Sequence, residues 1–380
     1  MKRIILILVG IVFALVCTEL CIRWYAPQSV YRAGMMVENC YRSDSTLYTT
    51  LKPLTRCHNS TTSPVPVYIN SLGFRDIKDK PIQKENGVPR VLFIGDSYTF
   101  GYGVSVQESF PSLTEAYMKR SGKPIEMLNA GIPGVGPDWY YLFLKHKSFD
   151  FAPDLIVVNI YLGNDLFDHA YFDTTTRDSQ GLPIQLGTNQ EYVDADGTRR
   201  SARAPWQYKI PWLRSSHLFL RIAGILGPLP QDTGTPHAIN GSGCLLKPGC
   251  TAIDTDIQST VNLLSEMNRI AGEHNSKFVV TLLPWEAQLS RKLNEQSKGY
   301  LIPATKAQRH AVSDKLGALL EKNSIEYVDF LDAFDAYTGT EAVYTPMDYH
   351  WNAVGHTIAA EYLGPKLEAM LFPPQAPETE

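Results

Sequence analysis

Between Arg90 and Gly103 the chain reads Arg-Val-Leu-Phe-Ile-Gly-Asp-Ser-Tyr-Thr-Phe-Gly-Tyr-Gly. Val91 to Ile94 is a short apolar, β-branched run of the kind that makes a buried strand, and Gly95-Asp96-Ser97 suits a tight turn at its exit. In open α/β sheets ligands gather outside the carboxyl ends of the strands, so Ser97 falls where chemistry is usually done. Gly-Asp-Ser by itself also suits a capped turn, and it gains weight only from three segments later in the chain.

From Arg90 strand and helix patterns alternate. Strands are expected at Val91 to Ile94, Ile125 to Leu128, Leu155 to Ile160, Phe278 to Leu283 and Ile325 to Phe330. Helical spacing marks Glu108 to Ser121, Trp139 to His146, Ile257 to His274, Thr305 to Asn323 and Ala353 to Met370. Five strands alternating with helices predict an α/β fold with a parallel, doubly wound, flavodoxin-like sheet. The pattern breaks between Leu166 and Cys250, which is turn-rich, carries Tyr171, Phe172, Trp206, Tyr208 and Trp212, and shows one helix around Ser216 to Ile225. An insertion of that length beside a site reads as a lid or substrate platform.

The three later segments that complete a set with the Gly-Asp-Ser block are Asn129-Ala-Gly-Ile-Pro-Gly134, Gly163-Asn164-Asp165, and Asp348-Tyr-His350-Trp-Asn. Their order and spacing resemble the SGNH (GDSL-type) hydrolase family over Arg90 to about Met370, the insertion excepted. A serine hydroxyl is a poor nucleophile near neutral pH unless a base removes its proton during attack. The resemblance makes Ser97 that nucleophile and His350 that base, with no cofactor. His356, six residues later, reads as a structural residue of the last helix. The oxyanion donors implied are the Ser97 amide, the Gly134 amide and the Asn164 side chain, with Gly131 and Gly136 competing for the glycine role. Asp96 and Asp165 read as hydrogen-bond acceptors behind the site.

Two positions depart from the family pattern. Leu162 stands where Gly-x-Asn-Asp has its first glycine, which puts the local backbone in question. Met347 stands where many members have the aspartate of Asp-x-x-His, and Asp348 forms Asp-x-His instead, similar to the alginate-acetylation relatives. Residues two apart project to one side of extended backbone. Asp348 therefore either orients the His350 imidazole or only caps the final helix.

The ends of the chain locate it. Met1-Lys2-Arg3 precedes an apolar run from Ile4 to Thr18, broken by Glu19, which predicts a cytoplasmic amino terminus with the rest outside. No small-x-small tripeptide marks a cleavage site, and bulky Val16 before Cys17 argues against a lipoprotein box, so an uncleaved anchor is favoured over a signal peptide. Residues 1–24 are then a signal anchor. Residues 25–89 form a stem with short strands and a charged linker, and 90–372 the hydrolase-like domain with its insertion at about 166–250. Residues 373–380 are a frayed tail. The string Val67-Tyr-Ile-Asn-Ser-Leu-Gly-Phe-Arg-Asp76 resembles one that precedes the Gly-Asp-Ser block in membrane-anchored members.

Of six cysteines, Cys17 and Cys21 belong to the anchor. Cys244-Leu-Leu-Lys-Pro-Gly-Cys250 is a short loop with its own turn, so on the exported side Cys244–Cys250 and Cys40–Cys57 is the expected pairing. Neither close Cys-x-x-Cys spacing nor a paired histidine motif suggests a metal site. With a net charge of −4 and no long basic run, nucleic acid is not expected as a partner. The expectation is an anchored esterase removing acyl groups, acetyl among them, from an envelope or extracellular glycan or another small ester. The same serine serves an O-acyltransferase if a sugar hydroxyl replaces water. A non-catalytic glycan-binding or assembly module is the third reading, and the intact Ser-His-Asn set counts against it.

Overall fold

A computed structural model describes residues 2–25, 37–59, 65–168, 171–201, 210–214, 216–226, 244–290, 292–293, 305–345 and 350–373; Trp206, Tyr208, Asp348 and most of the expected tail lie outside these residues. Helix α1 (Lys2–Tyr25) buries none of its residues and is long and apolar enough to cross a membrane. Strands β1 (Val37–Glu38), β4 (Thr55–Asn59) and β5 (Pro66–Ile69) form an antiparallel sheet, and β2 (Tyr41–Asp44) pairs with β3 (Tyr48–Leu51). Tyr41, Leu51, Val67, Ile69 and Phe74 from this region share one core with Leu92 and Ile94 of the central sheet. The Trp139 indole donates to the Thr49 carbonyl at 2.9 Å across the same junction. Cys40–Cys57 and Cys244–Cys250 stand at disulfide distance, with Cα separations of 5.9 and 5.5 Å.

The main domain begins with β6 (Arg90–Ile94), α2 (Ser97–Phe100), α3 (Phe110–Arg120), β7 (Glu126–Asn129), α4 (Pro137–His146) and β8 (Leu155–Tyr161). The insertion contributes two ribbons, β9 (Thr176–Arg177) with β10 (Pro183–Gln185) and β11 (Glu191–Val193) with β12 (Arg199–Ser201), then α5 (Pro211–Arg214) and α6 (His217–Leu226). The chain closes with α7 (Asp254–Glu273), β13 (Lys277–Leu283), α8 (Lys306–Lys322), β14 (Tyr327–Asp329), α9 (Leu331–Ala336) and α10 (Ala353–Leu371).

Five strands pair in parallel in the order β14-β13-β8-β6-β7. This is the flavodoxin-like, doubly wound order. Every residue of β6 and β8 is buried, because helices cover both faces. Along β6 the faces alternate: Val91 and Phe93 pack with Phe110 of α3 and Leu363 of α10, whereas Leu92 and Ile94 pack with Trp139 of α4 and Leu264 of α7. The order reverses at β6, between β7 and β8, so the carboxyl ends of these three strands surround the crevice where such sheets bind ligands.

Candidate active site

Ser97 opens α2 directly after β6. Asp96 makes the helix start there by accepting the Tyr98 amide at 2.9 Å, and the left-handed Gly101 ends it after one turn. Arg75, from the string after β5, is fully buried and donates to the carbonyls of Phe100, Gly101 and Val104, which fixes the loop behind the serine. Burial lowers the proton affinity of this guanidinium to about 9, so it stays charged at neutral pH.

His350 reaches the serine from the far end of the chain. A bridge between Tyr344 and Trp351, with the Thr345 amide donating to the His350 carbonyl at 2.8 Å, holds its loop over the sheet edge. Its Nε2 lies 2.8 Å from Ser97 Oγ. The imidazole packs beside Tyr98 and Tyr102, with ring centroids 5.2 and 4.6 Å away. With the ring proton on Nδ1, Nε2 accepts from the hydroxyl and can take its proton as Oγ attacks.

The cap of α10 belongs to Asn352. Its Oδ1 accepts from the amides of Val354 and Gly355 at 3.0 and 3.1 Å, so the capping role offered to Asp348 is already filled. His356 is structural, as expected: it is 1% exposed, its Nδ1 accepts from the Phe110 amide at 3.2 Å, and burial pulls its pKa down to about 3.

The glycine segment after β7 separates the three candidate donors. Gly131 gives its amide to Asn129 Oδ1 at 3.0 Å, and a Cβ there would collide with the Phe100 nitrogen, so it is a close-packing glycine. Gly136 is the N-cap residue of α4, and a Cβ there would meet Asp168. Gly134 has φ +72°, which favours glycine. Arg199, from β12 of the insertion, donates to the Pro133 carbonyl at 2.6 Å and the Gly134 carbonyl at 2.9 Å. In a planar trans peptide the N–H opposes the preceding C=O, so holding the Pro133 carbonyl also fixes the direction of the Gly134 amide.

Asn164 sits in the turn after β8. Asp165 closes that turn by accepting from the Tyr161 amide at 2.9 Å and the Tyr140 hydroxyl at 3.1 Å. The Asn164 Nδ2 donates to Asp168 Oδ2 at 3.1 Å, leaving a second N–H for a ligand. Leu162 is accommodated without positive φ, its side chain fully buried and its amide bonded to the Leu283 carbonyl at 2.9 Å. Burial raises Asp96 to about 6, opposed by the Tyr98 amide and by His350. Burial, with mutual repulsion among Asp96, Asp165 and Asp168, holds Asp165 and Asp168 well above the usual carboxylate range.

The Ser97 hydroxyl, the His350 imidazole and the segments of Gly134 and Asn164 thus lie on three neighbouring strand ends and one carboxyl-terminal loop. The arrangement agrees with what the resemblance to the SGNH (GDSL-type) hydrolases implies. No family model matches the chain, and no curated protein matches it. Among solved structures, it is similar to a lipase/acylhydrolase from Enterococcus faecalis at 13% identity and TM-score 0.41, covering 76% of this chain and 100% of that one. It is also similar to a GDSL-like lipase from Bacteroides thetaiotaomicron at 15% identity and TM-score 0.38, covering 76% and 92%. An acetyl xylan esterase is similar at 14% identity and TM-score 0.40, covering 73% and 99%.

The SGNH blocks omit three side chains that brace this site. Arg75 lies in a string the sequence marks out, but its role does not show there. Arg199 and Asp168 lie in the insertion, where no motif marks them.

Proposed function

We propose that this chain is a membrane-anchored serine esterase of the SGNH type, acting on an acylated glycan or another small ester outside the cytoplasm. The observation that carries the reading is the 2.8 Å contact between Ser97 Oγ and His350 Nε2. Ser97 Oγ attacks the acyl carbon while its proton passes to His350. The tetrahedral oxyanion is met by the Ser97 and Gly134 amides and the Asn164 Nδ2. His350 then gives the proton to the departing alcohol oxygen, leaving an acyl-serine. Water, activated by the same imidazole, releases the acid and restores the serine. Asp348 is assigned the orienting carboxylate, a role supported by its spacing from His350 and by the presence of a separate cap on α10. The α1 anchor and the two exported cysteine pairs support the location.

The test is fluorophosphonate labelling of the full chain, followed by product analysis of an acetylated oligosaccharide with and without an acceptor sugar. Ser97→Ala should abolish labelling and turnover, and His350→Ala should come close. Asp348→Asn should lower turnover greatly without changing the melting temperature. Transfer of the acyl group to the sugar in place of free acid assigns the same serine to an acyltransferase. Full esterase activity in Ser97→Ala ends the proposal.

A further inference from the structure

Glu19 is the one acidic residue of α1 and lies within the apolar helix. A carboxylate at that depth is costly unless it is paired. Here it accepts from the Ser216 hydroxyl at 2.9 Å, the His217 amide at 3.0 Å and the Leu218 amide at 2.8 Å, and from Arg23 at 3.1 Å. The two amides belong to the first turn of α6, whose N–H groups have no partner within their own helix. Glu19 therefore caps a helix of the insertion from across the chain.

The helix it caps is poorly suited to water. α6 reads His-Leu-Phe-Leu-Arg-Ile-Ala-Gly-Ile-Leu; Leu220 is buried, but Ile222 is 45% exposed, and Trp212 of the adjoining α5 is 73% exposed. Trp24 and Tyr25, at the same end of α1 as Glu19, are more than four-fifths exposed. From Ile4 to Ile22 the helix rises about 27 Å. That nearly fills a hydrocarbon layer of about 30 Å and brings Glu19 close to its outer margin. Aromatic side chains and arginines such as Arg23 and Arg221 suit the headgroup level there.

We propose that α5 and α6 form a membrane-docking element, seated by Glu19 on the outer end of α1 so that Trp212 and Ile222 enter the boundary between headgroups and acyl chains. The proposal rests on α1 being a retained membrane span. The bilayer is the occupant because the element is fixed to the helix that enters it. The insertion then carries both a bilayer contact and, through Arg199, a brace on the Gly134 amide.

The test uses the full chain in a Cys17→Ser, Cys21→Ser background, reconstituted into phosphatidylethanolamine–phosphatidylglycerol vesicles. Ile222→Cys carries an environment-sensitive fluorophore, and Glu273→Cys, on the exposed side of α7, serves as the aqueous reference. The label at 222 should be quenched severalfold more by lipid-borne nitroxide than by aqueous iodide, the reverse of the label at 273. Glu19→Leu should abolish that difference and Glu19→Gln, which keeps one acceptor oxygen, should reduce it. Fluorophosphonate labelling shows that each variant has folded, and the Glu19→Gln comparison stands if Glu19→Leu does not fold. Equal iodide quenching at 222 and 273, with the chain still resisting alkaline carbonate extraction, overturns the docking element alone. Release by carbonate overturns the retained span and the docking together.

Discussion

On the Ser97 side of the site Arg75 is bonded to the carbonyls of Phe100, Gly101 and Val104, whereas on the Gly134 side Arg199 holds those of Pro133 and Gly134 and also pairs with Glu191. For Arg75 burial dominates, and the more distant charge of Glu108 offsets it only in part. For Arg199 burial also opposes the charge, but Glu191 with the surrounding tyrosines carries its pKa upward. The first arginine is thus fixed as a structural part of the core. The second is one half of an ion pair belonging to the insertion, so the direction of the Gly134 amide is set by a segment outside the parallel sheet.

That contrast breaks most sharply at Arg75. Arg75→Met leaves three carbonyls without their donor at about 1–3 kcal/mol for each buried group, so urea unfolding should show a loss of several kcal/mol. A loss below about 1 kcal/mol would erase the distinction between the two sides. Asn164→Ala should lower turnover on the order of 10²–10³ with the unfolding midpoint nearly unchanged, as expected for one oxyanion donor. Replacing Arg199 and Glu191 together by methionine removes both charges, which offsets part of the cost of leaving the Pro133 and Gly134 carbonyls without their donor, so stability should fall by about 1–3 kcal/mol, less than at Arg75. Turnover should still fall roughly tenfold at nearly constant KM, through misdirection of the Gly134 amide. Unchanged turnover would reduce Arg199 to a packing residue.

The smallest effect at neutral pH concerns His356. Its pKa falls from 6.5 to about 3 on folding, so between these values the unfolded chain binds a proton that the folded chain does not. Its contribution to stability is complete above about pH 6.5 and is lost as pH falls toward 3, at up to about 1.4 kcal/mol per pH unit. His356→Gln keeps an acceptor for the Phe110 amide and should flatten that part of the stability–pH curve. An unchanged slope would mean that other groups carry it.

How much of this was legible in the sequence depends on where each partner lies. Strands buried on both faces leave uninterrupted apolar runs, and the helices that cover them leave a clear period, so β6, β8, β13 and the long helices fall close to where periodicity puts them. Ser97, Gly134, Asn164 and His350 stand in compact blocks. Arg199 does not, because its strand is three residues long and the carbonyl it holds belongs to Pro133, 66 residues earlier. Glu19 was visible as an odd charge, while its partners lie almost two hundred residues away. Asp348 and Asn352 compete for one helix cap within five residues, a choice that hydrogen-bond geometry makes and spacing does not.

Ser97 and His350 are 253 residues apart, and the loop carrying the histidine precedes the final helix. That helix seats on α3 through His356 against Phe110 and through Gly364, where a Cβ would collide with the Tyr117 ring. A nascent or truncated chain ending before this contact has Ser97 without the docked His350 imidazole beside it. On the esterase reading proposed above, esters met during synthesis are left uncut until the last element docks, and the onset of hydrolysis reports that folding is complete.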